Sequence, residues 1–171
     1  MKFILSFLFI ILSTISFSAK LTMDVGGTYK FHGTYQVDEK NLFMTYQNFW
    51  TMTTNTPHVF KGNCSGTIKF NSGNQVNDIM CHGKNGDNYW YAAFNELAKG
   101  EMEASTSGFT IVAAKGPFEE LIGQKCMGAY IELEDQHYIW KGVCNIPDKT
   151  FERILNYIPV SYTHLTLPTK A

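Results

Sequence analysis

The chain has little of what marks most recognisable biochemistry. Charged residues make up 17% of its 171 residues, and Lys+Arg 14 against Asp+Glu 15 leaves a formal net charge of −1. No basic stripe breaks this balance, so nucleic acid is excluded as a partner on charge. No Cys-x-x-Cys, close histidine pair, His-Glu-x-x-His, Gly-x-Ser-x-Gly or phosphate-cradling glycine loop occurs. Zinc chemistry, the common hydrolase triads and nucleotide binding therefore have no motif to rest on, and nothing calls for a metal or a cofactor. Cysteine is scarce, at four residues, and proline numbers five.

Long apolar runs are missing except at the start. Met1-Lys2 precedes the run Phe3 to Leu12, and Ser16, Ser18 and Ala19 follow it. One positive charge, a short apolar stretch and small residues make the layout of a secretory signal peptide over 1–19, cut after Ser18 or Ala19. The run is short for a membrane span, so no stable span is expected once the signal is removed; an uncleaved anchor is the competing reading. The other end is odd in a different way. Residues 160–169, Val-Ser-Tyr-Thr-His-Leu-Thr-Leu-Pro-Thr, resemble a translated sequencing-library adapter at every position. The tail 159–171 is therefore set apart as non-native, and His164 leaves the set of candidate site residues with it. The span 20–158 remains, a length suited to one domain.

The four cysteines fall into two pairs. Cys64 and Cys81 lie symmetrically about the turn-forming Asn71-Ser72-Gly73-Asn74, and Cys126 and Cys144 about Glu134-Asp135-Gln136. Opposed residues of an antiparallel hairpin have Cα atoms about 4.5–5.5 Å apart, within disulfide reach. The spacing predicts Cys64–Cys81 and Cys126–Cys144 as staples across two hairpins. Disulfides persist outside the cytosol, which agrees with export to a periplasmic or extracellular compartment.

Short β-patterned runs alternate with Gly/Asn/Asp turns, as in a sandwich or barrel. Strands are expected over Thr28–Val37, Leu42–Thr53, Cys64–Phe70, Val76–His82, Asn88–Phe94, Phe109–Ala114, Cys126–Leu133 and His137–Asn145. Glu96 to Ser107 reads as a short helix or loop, and Asp148 as the N-cap of a C-terminal helix. The second hairpin has a readable register. Met127 faces Val143, Ala129 faces Lys141 and Ile131 faces Ile139 on one side; Gly128 faces Gly142 and Tyr130 faces Trp140 on the other. Either side can be the inside. The expected fold is thus all-β, an antiparallel barrel of about eight strands with two stapled hairpins and a short C-terminal helix.

The segment Gly62-Asn63-Cys64-Ser65-Gly66, then Cys81, then Gly86-Asp87 resembles the "G-x-C-x-G … C … GD" pattern of secreted bacterial proteins with an allene oxide cyclase-like barrel. Gly108-Phe109-Thr110, Gly116-x-Phe118, Gly123 and Gly128 are similar to that family's glycine-rich stretch. Pro117, Glu119-Glu120 and Lys125-Cys126 depart from the pattern. The resemblance implies a closed calycin-type barrel able to enclose one ligand. The family includes a plant isomerase, and no plant catalytic position matches a residue here.

Individual candidates are few. Asp78 and His82 lie on one strand face about 13 Å apart, too far for a catalytic pair. His32, His58 and His137 stand alone and read as surface or strand-end residues. Glu119 and Glu120 form either a solvated loop or an acid at a barrel mouth. Tyr130, Tyr138 and Trp140 share one parity and are the candidate lining of a cavity; ordinary core or outer-surface packing is the simpler reading. The sequence points to an exported β-barrel without catalytic machinery, binding a small apolar ligand or an envelope partner. An isomerase or cyclase acting on an apolar substrate, or a purely structural barrel, are the alternatives. Oligomeric state is left open.

Overall fold

The computed structural model describes residues 18–94, 99–100 and 104–158. The signal-like residues 1–17 and the adapter-like stretch 160–169 lie outside them. Nine strands run antiparallel: β1 (Ser18–Asp38), β2 (Asn41–Thr54), β3 (Val59–Asn71), β4 (Asn74–Asn85), β5 (Asn88–Phe94), β6 (Lys99–Gly100), β7 (Ala104–Lys115), β8 (Lys125–Glu132) and β9 (His137–Pro147). One α-helix follows among the described residues, α1 (Asp148–Leu155). The sheet order is β5-β4-β3-β2-β1-β9-β8-β7-β6, and β5 also pairs with β7. That last pairing closes eight strands into a barrel, with the two-residue β6 an extension along β7.

Tight turns set the register. Asn71 pairs with Asn74 around Ser72 and Gly73, both at positive φ (51° and 81°), the turn geometry that matches strand twist. Asn85 pairs with Asn88 around Gly86-Asp87. A bulge between Phe31 and Gly33 in β1 leaves His32 outside, hydrogen-bonded to Gln47 at 2.8 Å.

Both staples form as the cysteine spacing predicts. Cys64–Cys81 and Cys126–Cys144 bridge directly opposed strands, with Cα atoms 4.0 and 4.4 Å apart. All four cysteines are buried. Two internal disulfides fit an oxidising compartment.

Four expectations change. β1 starts at Ser18 rather than Thr28, because Gly26-Gly27 does not interrupt it: Gly27 pairs with Trp50 of β2 on one side and with Tyr138 of β9 on the other. Ala104 to Ser107, read as loop or helix, is strand β7; residues 95–98 and 101–103 lie outside the described residues. Pro147 occupies the N-cap position of α1, and Asp148 is its first helical residue with no capping side-chain bond. His58 is buried, not superficial, and its Nε2 lies 2.8 Å from the carbonyl oxygen of Ile154.

One end of the barrel is sealed. Phe118 and Leu121, from the β7–β8 connection, and Ile154 of α1 are each 1% exposed beside Leu21, Phe60 and Ile146. Phe118 packs tilted against Phe60 with ring centroids 4.9 Å apart. Arg153 of α1 is ion-paired with Glu120, and Tyr157 donates to Asn88 Oδ1 at 3.1 Å.

Candidate functional site

The inward-facing positions follow from the period-2 alternation of each strand. On β2 they are Met44, Tyr46, Asn48, Trp50 and Met52, all buried, alternating with more exposed residues. On β8 and β9 the inward set is Cys126, Gly128, Tyr130, Tyr138, Trp140, Gly142 and Cys144. The outward set includes Met127, Ile131 and Ile139, at 54%, 54% and 41% exposure. The aromatic side of the second hairpin is thus the inside, with the register read from the sequence: Tyr130 opposite Trp140 and Gly128 opposite Gly142.

Glycines make room for the large rings. Trp50, Gly62, Gly83 and Trp90 form one row across β2 to β5. The two indoles stack over the glycine pair with centroids 5.3 Å apart. A Cβ on Gly83 would come within 2.6 Å of Trp90 Nε1, so an alanine there cannot coexist with this ring position. Trp140 lies over Gly128 and Gly142 in the same way.

These residues enclose a partly open cavity of about 110 Å³. All three tryptophans of the chain line it, with Phe31, Phe94, Phe109 and the Cys64–Cys81 staple. The three residues singled out in the sequence, Tyr130, Tyr138 and Trp140, are all part of the lining. Glu119 and Glu120 are not; they belong to the sealed end, Glu120 in its pair with Arg153.

The half of the barrel away from α1 is polar as well as aromatic. Asn48 is 4% exposed and holds three bonds. Its Oδ1 accepts the backbone N–H of Cys64 at 2.7 Å, and its Nδ2 donates to the hydroxyls of Tyr46 at 2.8 Å and Tyr138 at 2.9 Å. Tyr29 donates to Glu132, and Tyr130 stacks on Tyr138 at 5.4 Å. Gln75 Nε2 donates to Asn77 Oδ1 at 3.0 Å, both residues being buried. Burial pushes the phenols of Tyr46, Tyr130 and Tyr138 well above the ordinary tyrosine range, and the neighbouring tyrosines add to the shift. They remain neutral hydroxyls at any physiological pH.

Asn48, Tyr46, Tyr29 and Glu132 were not singled out from the sequence. A signal for Asn48 exists there: it is the polar member of an otherwise apolar period-2 row, Met44 to Met52. No group of three or more His, Cys, Asp or Glu side chains is placed to hold a metal among the described residues. The fold and lining define a closed, disulfide-stapled β-barrel with a small aromatic cavity carrying a tyrosine–asparagine–glutamate cluster. Comparison of the chain with protein-family models, curated proteins and solved structures finds no match.

Proposed function

We propose that this protein is an exported, periplasmic or extracellular barrel that binds one small, largely apolar molecule inside, with Tyr130, Tyr138 and Trp140 among its contacts. The observation that carries this is the cavity of about 110 Å³ walled by three tryptophans on glycine-cleared floors. Drug-sized ligands occupy pockets of roughly 300–1,000 Å³, while a cavity near 150 Å³ suffices for benzene. At about 110 Å³ and partly open, the cavity points to a ligand no larger than about one ring. The likeness of the glycine and cysteine pattern to allene oxide cyclase-like barrels supports the same reading, and the signal-like N-terminus supports export.

A second reading, an isomerase or cyclase, draws on one specific observation. Glu132, hydrogen-bonded to Tyr29, lies in the cavity lining beside the tyrosine hydroxyls. An acidic group in such a setting is a candidate for proton transfer.

Binding is tested by titrating the folded protein with toluene and following tryptophan fluorescence, since every tryptophan lines the cavity. A saturable change is expected in the wild type. Ser107→Leu, which replaces a hydroxyl in the lining with three carbons, should abolish it. A wild type that ignores toluene, or a Ser107→Leu variant that binds it unchanged, overturns this cavity as the binding site. Turnover cannot follow from toluene, so a proton-transfer role is judged separately, by whether Glu132→Gln leaves ligand affinity intact while abolishing conversion of a bound substrate.

A further inference from the structure

Counting hydrogens in the cavity gives more than its size does. Asn48 Oδ1 faces the N–H of Cys64, which can only donate, so the oxygen and nitrogen of this amide are assigned by their partners. Nδ2 can then only donate, and it gives one hydrogen to each of the Tyr46 and Tyr138 hydroxyl oxygens. Both phenols are therefore acceptors in these bonds, and each still owns a hydrogen. Among the described residues neither phenol donates that hydrogen to a protein acceptor.

The neighbours deepen the imbalance. Trp90 Nε1 and Trp140 Nε1 are buried donors without a partner, and both residues line the same cavity. Gln75 Oε1 is a buried acceptor without a partner, and Gln75 belongs to the same lining. Tyr46, Tyr138, Trp90 and Trp140 are each more than nine-tenths buried. An unmet buried donor costs on the order of 1–3 kcal/mol, so a ligand that supplies an acceptor gains against one that does not. Glu132 places an acidic side chain in the same lining, which disfavours an anionic ligand.

We propose that the cavity recognises a neutral, ring-sized molecule through one carbonyl-type oxygen, which accepts hydrogen bonds from the hydroxyls of Tyr46 and Tyr138. This rests on the binding function argued above and names the class of ligand for it. Asn48 acts as a positioning residue: it holds both phenols in the accepting role and so turns their hydrogens toward the cavity contents.

The test compares cyclopentanone with methylenecyclopentane, which has the same shape with a CH₂ group in place of the oxygen. Affinities of both are measured on the wild type, Tyr46→Phe and Tyr138→Phe by tryptophan fluorescence. Each substitution is expected to weaken the ketone about 3- to 10-fold and to leave the hydrocarbon within about twofold, the worth of one hydrogen bond. The infrared C=O stretch of the ketone bound to the wild type should lie below its position in hexane. If the hydrocarbon binds but the substitutions move both probes alike, or neither, the carbonyl site is wrong and the binding barrel stands. If neither probe binds the wild type, both fall. Should a Phe variant fail to fold, the wild-type stretch decides: a frequency equal to that in hexane overturns the proposal.

Discussion

Phe118 and Tyr46 sit at opposite ends of one barrel, and the two ends are built on different principles. Around Phe118 the side chains are Phe60, Leu21, Leu121, Ile146 and Ile154, all within 1% of complete burial. Burying an apolar side chain of this size is worth about 1.5–3 kcal/mol each, with no polar partner needed. Around Tyr46 the wall is less completely buried and carries hydroxyls, amides and an acid, some of them unpartnered. Buried polar groups stabilise only when satisfied. One end is thus arranged for stability and the other gives some of it up, the pattern expected where a site is built into a core. Substitutions at the two ends should separate these roles, and the largest effect belongs to the sealed one. Phe118→Ala removes a ring held between Phe60 and Trp90, at 4.9 and 6.3 Å between centroids. A loss of about 3–5 kcal/mol is expected in urea unfolding. A loss below ~1 kcal/mol would mean that the plug is not part of the cooperative core.

The staples come next, and they too divide between the ends. Cys64–Cys81 lines the cavity, whereas Cys126–Cys144 packs beside Leu21 toward the sealed end. They span 17 and 18 residues, so the chain-entropy estimate is about 3 kcal/mol for either. Replacing each pair with alanine should cost similar stability, but only the Cys64/Cys81 replacement should change toluene affinity. Equal effects on affinity would erase the distinction between a structural and a functional half.

Gly128→Ala sharpens the comparison from inside the site. The added methyl meets the Trp140 indole, whose Nε1 lies 2.7 Å from where that Cβ would be. Overpacking of this kind costs about 1–3 kcal/mol, and the displaced indole should shift its emission maximum. Unchanged emission and stability would show that Trp140 has room the packing denies it.

How far these features were readable in the chain depends on how local their causes are. The hairpins were legible because turn residues and cysteine symmetry act over fewer than twenty residues: Cys64 with Cys81 and Tyr130 with Trp140 pair as the spacing predicts. The inside of the barrel was not legible, because both faces of β8–β9 carry apolar residues and the closing of the sheet by β5 on β7, a pairing outside the hairpin, decides which is enclosed. His58 sits at a strand end, before β3, but its burial was not legible for the same reason, since its partner, the carbonyl of Ile154, is 96 residues away. Of the two readings of Glu120, solvated loop or mouth acid, the structure has the loop residue, its carboxylate ion-paired with Arg153 of α1 at the sealed end. The Asn48 cluster gathers β1, β2, β3, β8 and β9, and no local pattern announces a meeting of five strands.

The smallest expected effect is a titration, and it tests the polar end alone. Burial raises the phenols of Tyr46, Tyr130 and Tyr138 above their ordinary value of 10.0; for Tyr46 the Asn48 hydrogen bond works against this, and Tyr29 and Glu132 add to it. A group held protonated by the fold ionises more readily once unfolded. Its contribution is therefore fully present below pH 10 and is lost as the pH rises from there through the folded values. Stability should be flat on this account near neutrality and fall steadily above pH 10. Tyr46→Phe removes one such group, so its unfolding midpoint should decline less steeply with pH than that of the wild type. Phe118→Ala, at the sealed end, should be less stable at every pH but decline in parallel with the wild type. Difference absorbance at 295 nm gives the matching readout, the cavity phenols ionising only on unfolding. If the cavity phenols ionise below the unfolding transition, the polar end is open to water and its hydroxyls are not the buried donors on which the carbonyl site depends.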